Sequence, residues 1–143
     1  HINQDYKKLL DNIIFLKPTS FAEQKKSFEK LKSVVNDKIG LIIVDTIAML
    51  YRLELGKNED IHEVNIELSR QISYLTEIAR KKNIPVLITN QVYADFEAKD
   101  KVNIVGGDIL KYGSKCLIEL QITPNGNRRA ILRKHRSLEL YLT

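Results

Sequence analysis

Apolar residues in this chain alternate between short unbroken runs and longer segments where they recur every three or four positions, the pattern of strands interleaved with helices. Leu41-Ile42-Ile43-Val44 is purely aliphatic and mostly β-branched, which predicts a strand buried on both faces, as parallel strands covered by helices are. Ile84-Pro85-Val86-Leu87-Ile88-Thr89 is a second such run, and Ile13-Ile14-Phe15-Leu16 a short third, stopped by Lys17-Pro18. Between them lie helical spacings. Ile2, Tyr6, Leu9 and Leu10 predict one helix, and Phe21, Phe28, Leu31, Val34 and Val35 a second, capped by Thr19 or Ser20 with Glu23 completing a capping box. A long helix is predicted over 61–82, with Ile61, Val64, Leu68, Ile72, Leu75, Ile78 and Ala79 on one stripe. Its basic last turn, Arg80-Lys81-Lys82, suits the negative end of a helix dipole.

The C-terminal third reads differently. Residues 108–113 predict a short helix, and Cys116 to Thr123 and Arg128 to His135 are strands joined by a Pro124-Asn125-Gly126-Asn127 turn, with Leu138 to Leu142 closing the sheet. Two polar stretches interrupt the pattern. Tyr51 to Asp60 carries charge and a glycine and is expected to be a mobile surface loop, and the stretch over 92–107 is a long insertion of the kind that is usually functional. The whole describes an α/β domain: a mostly parallel sheet flanked by helices, ending in an antiparallel hairpin.

Composition narrows the class. At 143 residues, 43% hydrophobic and 29% charged, the chain is one globular domain. Its single cysteine, Cys116, excludes a disulfide framework and is expected to pack as a small apolar residue. No apolar run approaches a membrane span and no charged-then-apolar leader is visible, so a cytoplasmic, membrane-free protein is expected. A net charge of +5 favours acidic partners without specifying one.

The candidate chemistry sits at strand ends. Asp45 closes the first aliphatic run and Asn90-Gln91 follows the second, so both should reach the carboxyl edge of one sheet, where open parallel sheets bind ligands. A carboxylate there either coordinates magnesium directly or through water, or caps the turn leaving the strand. A phosphate-cradling GxxxxGK followed by Ser or Thr occurs nowhere, and the chain starts at His1, so a C-terminal portion of a larger core is expected.

LIIVDTIAML at 41–50, ITNQV at 88–92 and GGDILKYGSKCLIEL at 106–120 occur in the order and spacing of the RecA-type recombinases, which this chain resembles over nearly all of 38–143. Within that superfamily YR at 51–52, LSRQ at 68–71, IARKKNIPVLITNQV at 78–92 and LRKHR at 132–136 are most similar to the archaeal RadB branch. The resemblance implies a RecA-like P-loop NTPase core lacking its N-terminal Walker A part, binding ATP with Mg2+, binding single-stranded or branched DNA, and assembling with like subunits. Asp45 matches the Walker B aspartate that holds magnesium through water, and Gln91 the residue that senses the γ-phosphate and signals to the loop after it. A neutral amide suits that task, because it can bond a phosphate oxygen in one state and release it in another. The stretches over 51–60 and 92–107 match the two DNA-facing loops, placing Arg52, Lys57, Arg70, Lys99 and Lys101 as candidate phosphate contacts, although solvated lysines and structural ion pairs would look the same. Lys134 and Arg136, two apart, would share one face of a strand and, by the same resemblance, reach a neighbour's γ-phosphate; alternatively they are an edge strand's protective charges.

The implied function is DNA repair and homologous recombination, as an ATP-regulated recombinase paralogue or mediator. The second loop is shorter than in strand-exchanging relatives, and residues 1–143 alone are not expected to hydrolyse ATP; the full-length protein would be a weak DNA-dependent ATPase. Two alternatives stand beside this: a non-enzymatic module that binds a recombinase partner, and a RecA-fold regulator of circadian-clock or helicase type, against which YR and GGDILKYGSK argue.

Overall fold

Helix α2 (Phe21–Val34) starts where its cap demands. Ser20 Oγ accepts the Glu23 N–H at 3.2 Å, while the Glu23 carboxylate accepts from the Thr19 N–H and hydroxyl, each at 2.8 Å. The capping box therefore closes on Thr19 as well as Ser20, and the Thr19 N–H first, then its hydroxyl, hold the Glu23 carboxyl below its ordinary range. The computed structural model describes residues 6–57, 60–94 and 102–138. Within these, α1 (Tyr6–Leu10) and α2 precede β1 (Ile42–Val44), α3 (Met49–Leu55) and α4 (Ile61–Lys82). Then come β2 (Val86–Ile88), β3 (Val92–Ala94), β4 (Val102–Ile104), α5 (Gly107–Gly113), β5 (Leu117–Ile122) and β6 (Arg128–Lys134).

Helix α4 is the spine. Asp60 accepts the Glu63 N–H at 3.1 Å to start it, and Asn83, left-handed at φ 53°, ends it ahead of Pro85. Val64, Leu68, Ile72, Leu75 and Ile78 are buried along one side as the spacing predicts, whereas Ile61 lies exposed and Gln71 joins the buried face. Leu75 and Ile78 pack with Ile42 and Ile84, which seats α4 on the parallel pair β1–β2, and Phe28 and Leu31 bring α2 to the same side. The register is Ile42 opposite Val86 and Val44 opposite Ile88. The chain is thus α/β with the predicted parallel crossover.

Several expectations are corrected. Residues 13–16 form no strand; Ile13, Ile14 and Phe15 are about half exposed or more, having no partner strand among the described residues to complete their hydrogen bonds. The strand before Asp45 is buried on one face only: Ile43 is 59% exposed and its neighbour Leu87 53%, because both helices lie on the opposite side. Tyr51 to Leu55 is not loop but helix α3, held by burial of Leu50 and Tyr51, whose ring meets Phe21 edge-on at 6.1 Å. The stretch after Gln91 is likewise structured at its base, where β3 and β4 pair antiparallel, Val92 opposite Ile104. Strands β5 and β6 form the predicted hairpin about the 124–127 turn, but with a bulge near Leu117–Ile118 and as a sheet of their own among the described residues. Cys116 is exposed rather than packed, lying before β5 begins. Leu138 is outside any strand, and residues 139–142 lie beyond those described.

Helix α5 crosses α4 closely. A Cβ at Gly113 would lie 2.3 Å from Cγ2 of Ile72, and Gly106, at φ 82°, supplies the left-handed turn that starts the helix. Gly113→Ala should therefore cost about 1–3 kcal/mol in denaturant unfolding, the usual penalty of overpacking. Gly40→Ala, with open space around it, should unfold as the wild type does.

Candidate functional site

Three backbone hydrogen bonds bracket the β1–β2 pair, one at its start and two beyond its carboxyl ends. Ile42 N–H donates to Pro85 O at 3.1 Å, Thr89 N–H to Val44 O at 3.0 Å, and Ile47 N–H to Thr89 O at 3.2 Å. Asp45 and Thr89 consequently leave the ladder side by side, and the Thr89 hydroxyl donates to an Asp45 carboxylate oxygen. Asp45 is exposed, while Ile47 and Ala48 just beyond it are fully buried, so a solvent-facing carboxylate is mounted on an anchored turn. Gln91, also exposed, lies two residues past Thr89 at the same edge.

The edge is joined to the following hairpin. Gln91 O accepts the Val105 N–H at 3.1 Å, and the Asn90 side-chain amide donates to Val105 O at 2.7 Å. Val105 is therefore tied by two hydrogen bonds to the residues that follow β2. Asn90 Oδ1 is buried without a partner among the described residues. Beside this base lies a groove of about 550 Å³ between α3, the β3–β4 hairpin and the glycine turn; Arg52, Tyr93 and Gly106 line it. An exposed guanidinium next to a half-exposed aromatic ring can meet both parts of a nucleic acid strand, phosphate and base.

The other predicted residues are dispersed. Lys57 follows α3, exposed, with its N–H on Glu54 O at 3.0 Å. Arg70 is on α4, 3.8 Å from Glu67, in a second groove with Lys32 and His62 rather than the one holding Arg52. Lys99 and Lys101 lie outside the described residues. Lys134 Nζ donates to Lys111 O at 2.8 Å, supporting the last turn of α5, and Arg136 falls after β6 has ended. The expectation that Lys134 and Arg136 share a strand face is thereby corrected: His135 Nδ1 accepts from the Ser137 and Leu138 N–H groups and turns the chain away. Arg133, on the same strand, bonds Glu119 at 2.6 Å and, as the largest cause, holds that carboxyl below its ordinary range.

Sequence reasoning brought Asn90 to the edge without giving it a role, and passed over Thr89, Gln24 and Gln71. The last two had a signal. Gln24 falls between Phe21 and Phe28, and Gln71 between Leu68 and Leu75, at the spacing of each helix's apolar stripe.

The oxygen donors fit magnesium. Asp45 and Thr89 offer hard oxygen ligands, a single carboxylate beside a hydroxyl, and no cluster of three His, Cys, Asp or Glu occurs among the described residues. Mg2+ is commonly held in that way, with waters and substrate phosphates completing its shell. No described helix is long and apolar enough to cross a membrane.

Known proteins resemble this chain in sequence and in fold. The Rad51 family profile matches residues 1–137. The DNA repair and recombination protein RadB of Methanococcoides burtonii is 38% identical over 134 residues, covering 94% of this chain and 59% of that protein. The protein of the same name from Methanococcus maripaludis strain C5 is 44% identical over 137 residues, covering 93% and 59%. A crystal structure of the RadB recombinase superposes with a TM-score of 0.76 at 34% identity, over 98% of this chain and 62% of that one. The fold is RecA-like. The chain spans about 59% of the length of these curated relatives.

The Asn90 clasp predicts a local effect. Asn90→Ala should cost about 1 kcal/mol of stability, the net worth of one hydrogen bond. It should also speed amide exchange at Val105 more than at Leu68 or Leu75 in the core; equal changes throughout would count against a clasp.

Proposed function

The chain belongs to the Rad51 family, and on that premise we propose that the full-length protein is an ATP-regulated DNA-binding protein of recombinational repair. In this reading it acts on single-stranded or branched DNA as a recombinase paralogue or mediator, together with like subunits. The observation that carries it is the juxtaposition of Asp45 and Gln91 at one strand edge, with the 92–105 hairpin bonded to the Gln91 carbonyl. Asp45, steadied by Thr89, would hold Mg2+ through water. The ion, when bound, would offset charge on the phosphates of ATP. Gln91 would bond a terminal phosphate oxygen, and any shift of its backbone would reach the hairpin directly, since Val105 donates to its carbonyl.

Arg52 is the favoured DNA contact because it lines the groove beside that hairpin with Tyr93, and Lys57 follows on the same helix end. Lys99 and Lys101 would extend the cationic surface if the 92–105 segment faces the strand. Arg70 is a weaker choice, being paired with Glu67 on another groove. For Lys134 the contact with Lys111 O supports a structural part, which leaves Arg136 the freer of the two to reach a neighbouring subunit's phosphate.

Two measurements on full-length protein test this. Asp45→Ala should retain the fold but lose the magnesium dependence of ATP binding, read by titrating Mg2+ against a fluorescent ATP analogue. Arg52→Ala should weaken single-stranded DNA binding and flatten the plot of log affinity against log salt by about 0.7, the share of one phosphate contact. A slope that does not change would remove Arg52 from the DNA surface.

A further inference from the structure

Two glutamines are among the most deeply buried side chains: Gln24 is 4% exposed and Gln71 2%. They bond each other across helices, Gln24 Nε2 donating to Gln71 Oε1 at 2.7 Å, and the same Gln24 nitrogen donates to Ile47 O at 3.1 Å. Gln71 Nε2 in turn donates to Glu67 Oε1 at 3.2 Å, and the other Glu67 oxygen lies 3.7 Å from Lys25 Nζ and 3.8 Å from Arg70 Nη1. A continuous polar line thus runs from the surface of α4 through the core to the turn two residues after Asp45.

We propose that Gln24 and Gln71 are positioning residues for Asp45, forming a directed amide relay that sets where the turn carrying the candidate magnesium ligand sits. The inference rests on the reading of Asp45 given above. Its direction follows from chemistry. A carboxylate only accepts, so Glu67 obliges Gln71 to present its NH2 group there and its oxygen to Gln24. Gln24 must then turn its NH2 group toward that oxygen, which aims the remaining N–H at the Ile47 carbonyl. Lys25 and Arg70 flank the same carboxylate and favour its orientation toward Gln71. Burying two amides is unfavourable unless each is satisfied, and an apolar pair of equal volume would fill the same space without them. What hydrogen bonds add beyond filling is a fixed position for the 45–48 segment, which the Ile47 N–H also ties to Thr89 O. The strand end carrying the carboxylate is thereby held from two sides, by the sheet and by the helices.

The test uses full-length protein with Gln24→Met, Gln71→Met and the double variant, which keep side-chain volume and remove the bonds. Half-saturating Mg2+ for binding of a fluorescent ATP analogue should rise at least five-fold in each single variant, and the double should be no worse than the worse single, as members of one relay behave. Without nucleotide, amide exchange at Ile47 should quicken in Gln24→Met. Gly113→Ala, destabilised where α5 meets α4, should leave the magnesium requirement unchanged and quicken exchange at Ile47 no more than at Leu68 or Leu75, which separates positioning from stability. An unchanged magnesium requirement and unchanged Ile47 exchange in the methionine variants overturn the relay, as does an equal response in Gly113→Ala. If the methionine variants do not fold, Glu67→Gln carries the test: its amide removes the direction imposed on Gln71, and the magnesium requirement should rise by a smaller factor, with no rise overturning the proposal. Asp45→Ala measured in parallel separates the two levels. If it moves the magnesium requirement and the glutamine variants do not, only the relay falls; if it moves nothing, the reading of Asp45 falls and the relay with it.

Discussion

The parallel pairing of β1 with β2 is the constraint on which the rest of the candidate site depends, since it brings Asp45 and the Thr89–Gln91 segment to one edge. Val44 opposite Ile88 puts the two carboxyl ends level, and the bonds of Thr89 to Val44 and of Ile47 to Thr89 carry the ladder past the last strand residues into the turn. A slip of one residue would exchange the faces of every side chain and put Ile42 into solvent, so the burial of Ile42 against Leu75 and Ile78 enforces the register. Packing and chemistry are therefore the same constraint: the helix that covers the sheet also fixes which polar groups share its edge.

Helix α4 carries that constraint through the molecule. One side of it reaches the parallel strands through Leu75 and Ile78; farther toward its start, Leu68 and Ile72 join the buried set that contains Ile47, Tyr51 and Leu110. The close crossing at Gly113 lets α5 lie against it, and α5 leads into the β5–β6 hairpin. The candidate DNA surface is organised from the same helix: the Tyr51 hydroxyl donates to Asn65 Oδ1 at 2.6 Å, fixing α3 and so the place from which Arg52 projects. An element that touches the strand edge, the groove and the hairpin base has the connectivity that coupling between nucleotide and DNA would require.

Buried amides mark where this core departs from simple hydrophobic packing. Gln24 donates to the Ile47 carbonyl and is held from behind by Gln71, while the part-buried Asn90 donates to the Val105 carbonyl, so two of the three act on backbone beside the edge that carries Asp45. Polar groups in a core restrict the arrangements that satisfy them, whereas aliphatic side chains tolerate many. Their concentration near this edge is consistent with a place where position matters more than burial.

Much was readable in the sequence alone. The α/β class, the spans of α2, α4 and the terminal hairpin, the Ser20 cap and the strand-end location of Asp45 and Gln91 followed from local periodicity and short-range hydrogen-bond chemistry, which act within a few residues. The family followed from three motifs in register, and the Rad51 profile agrees. What tertiary structure decided was every matter of partnership. Tyr51 to Leu55 read as loop because its charge and its nearby glycine mask a helix that exists only by burying Leu50 and Tyr51 against Phe21 and its neighbours. Ile13 to Leu16 read as a strand because it is apolar, yet a strand needs an edge to bond, and none is offered among the described residues. The pairing of Gln24 with Gln71, 47 positions apart, has no local trace beyond two amides on apolar stripes. Periodicity reports which face of an element turns inward; only the packed chain determines what that face meets.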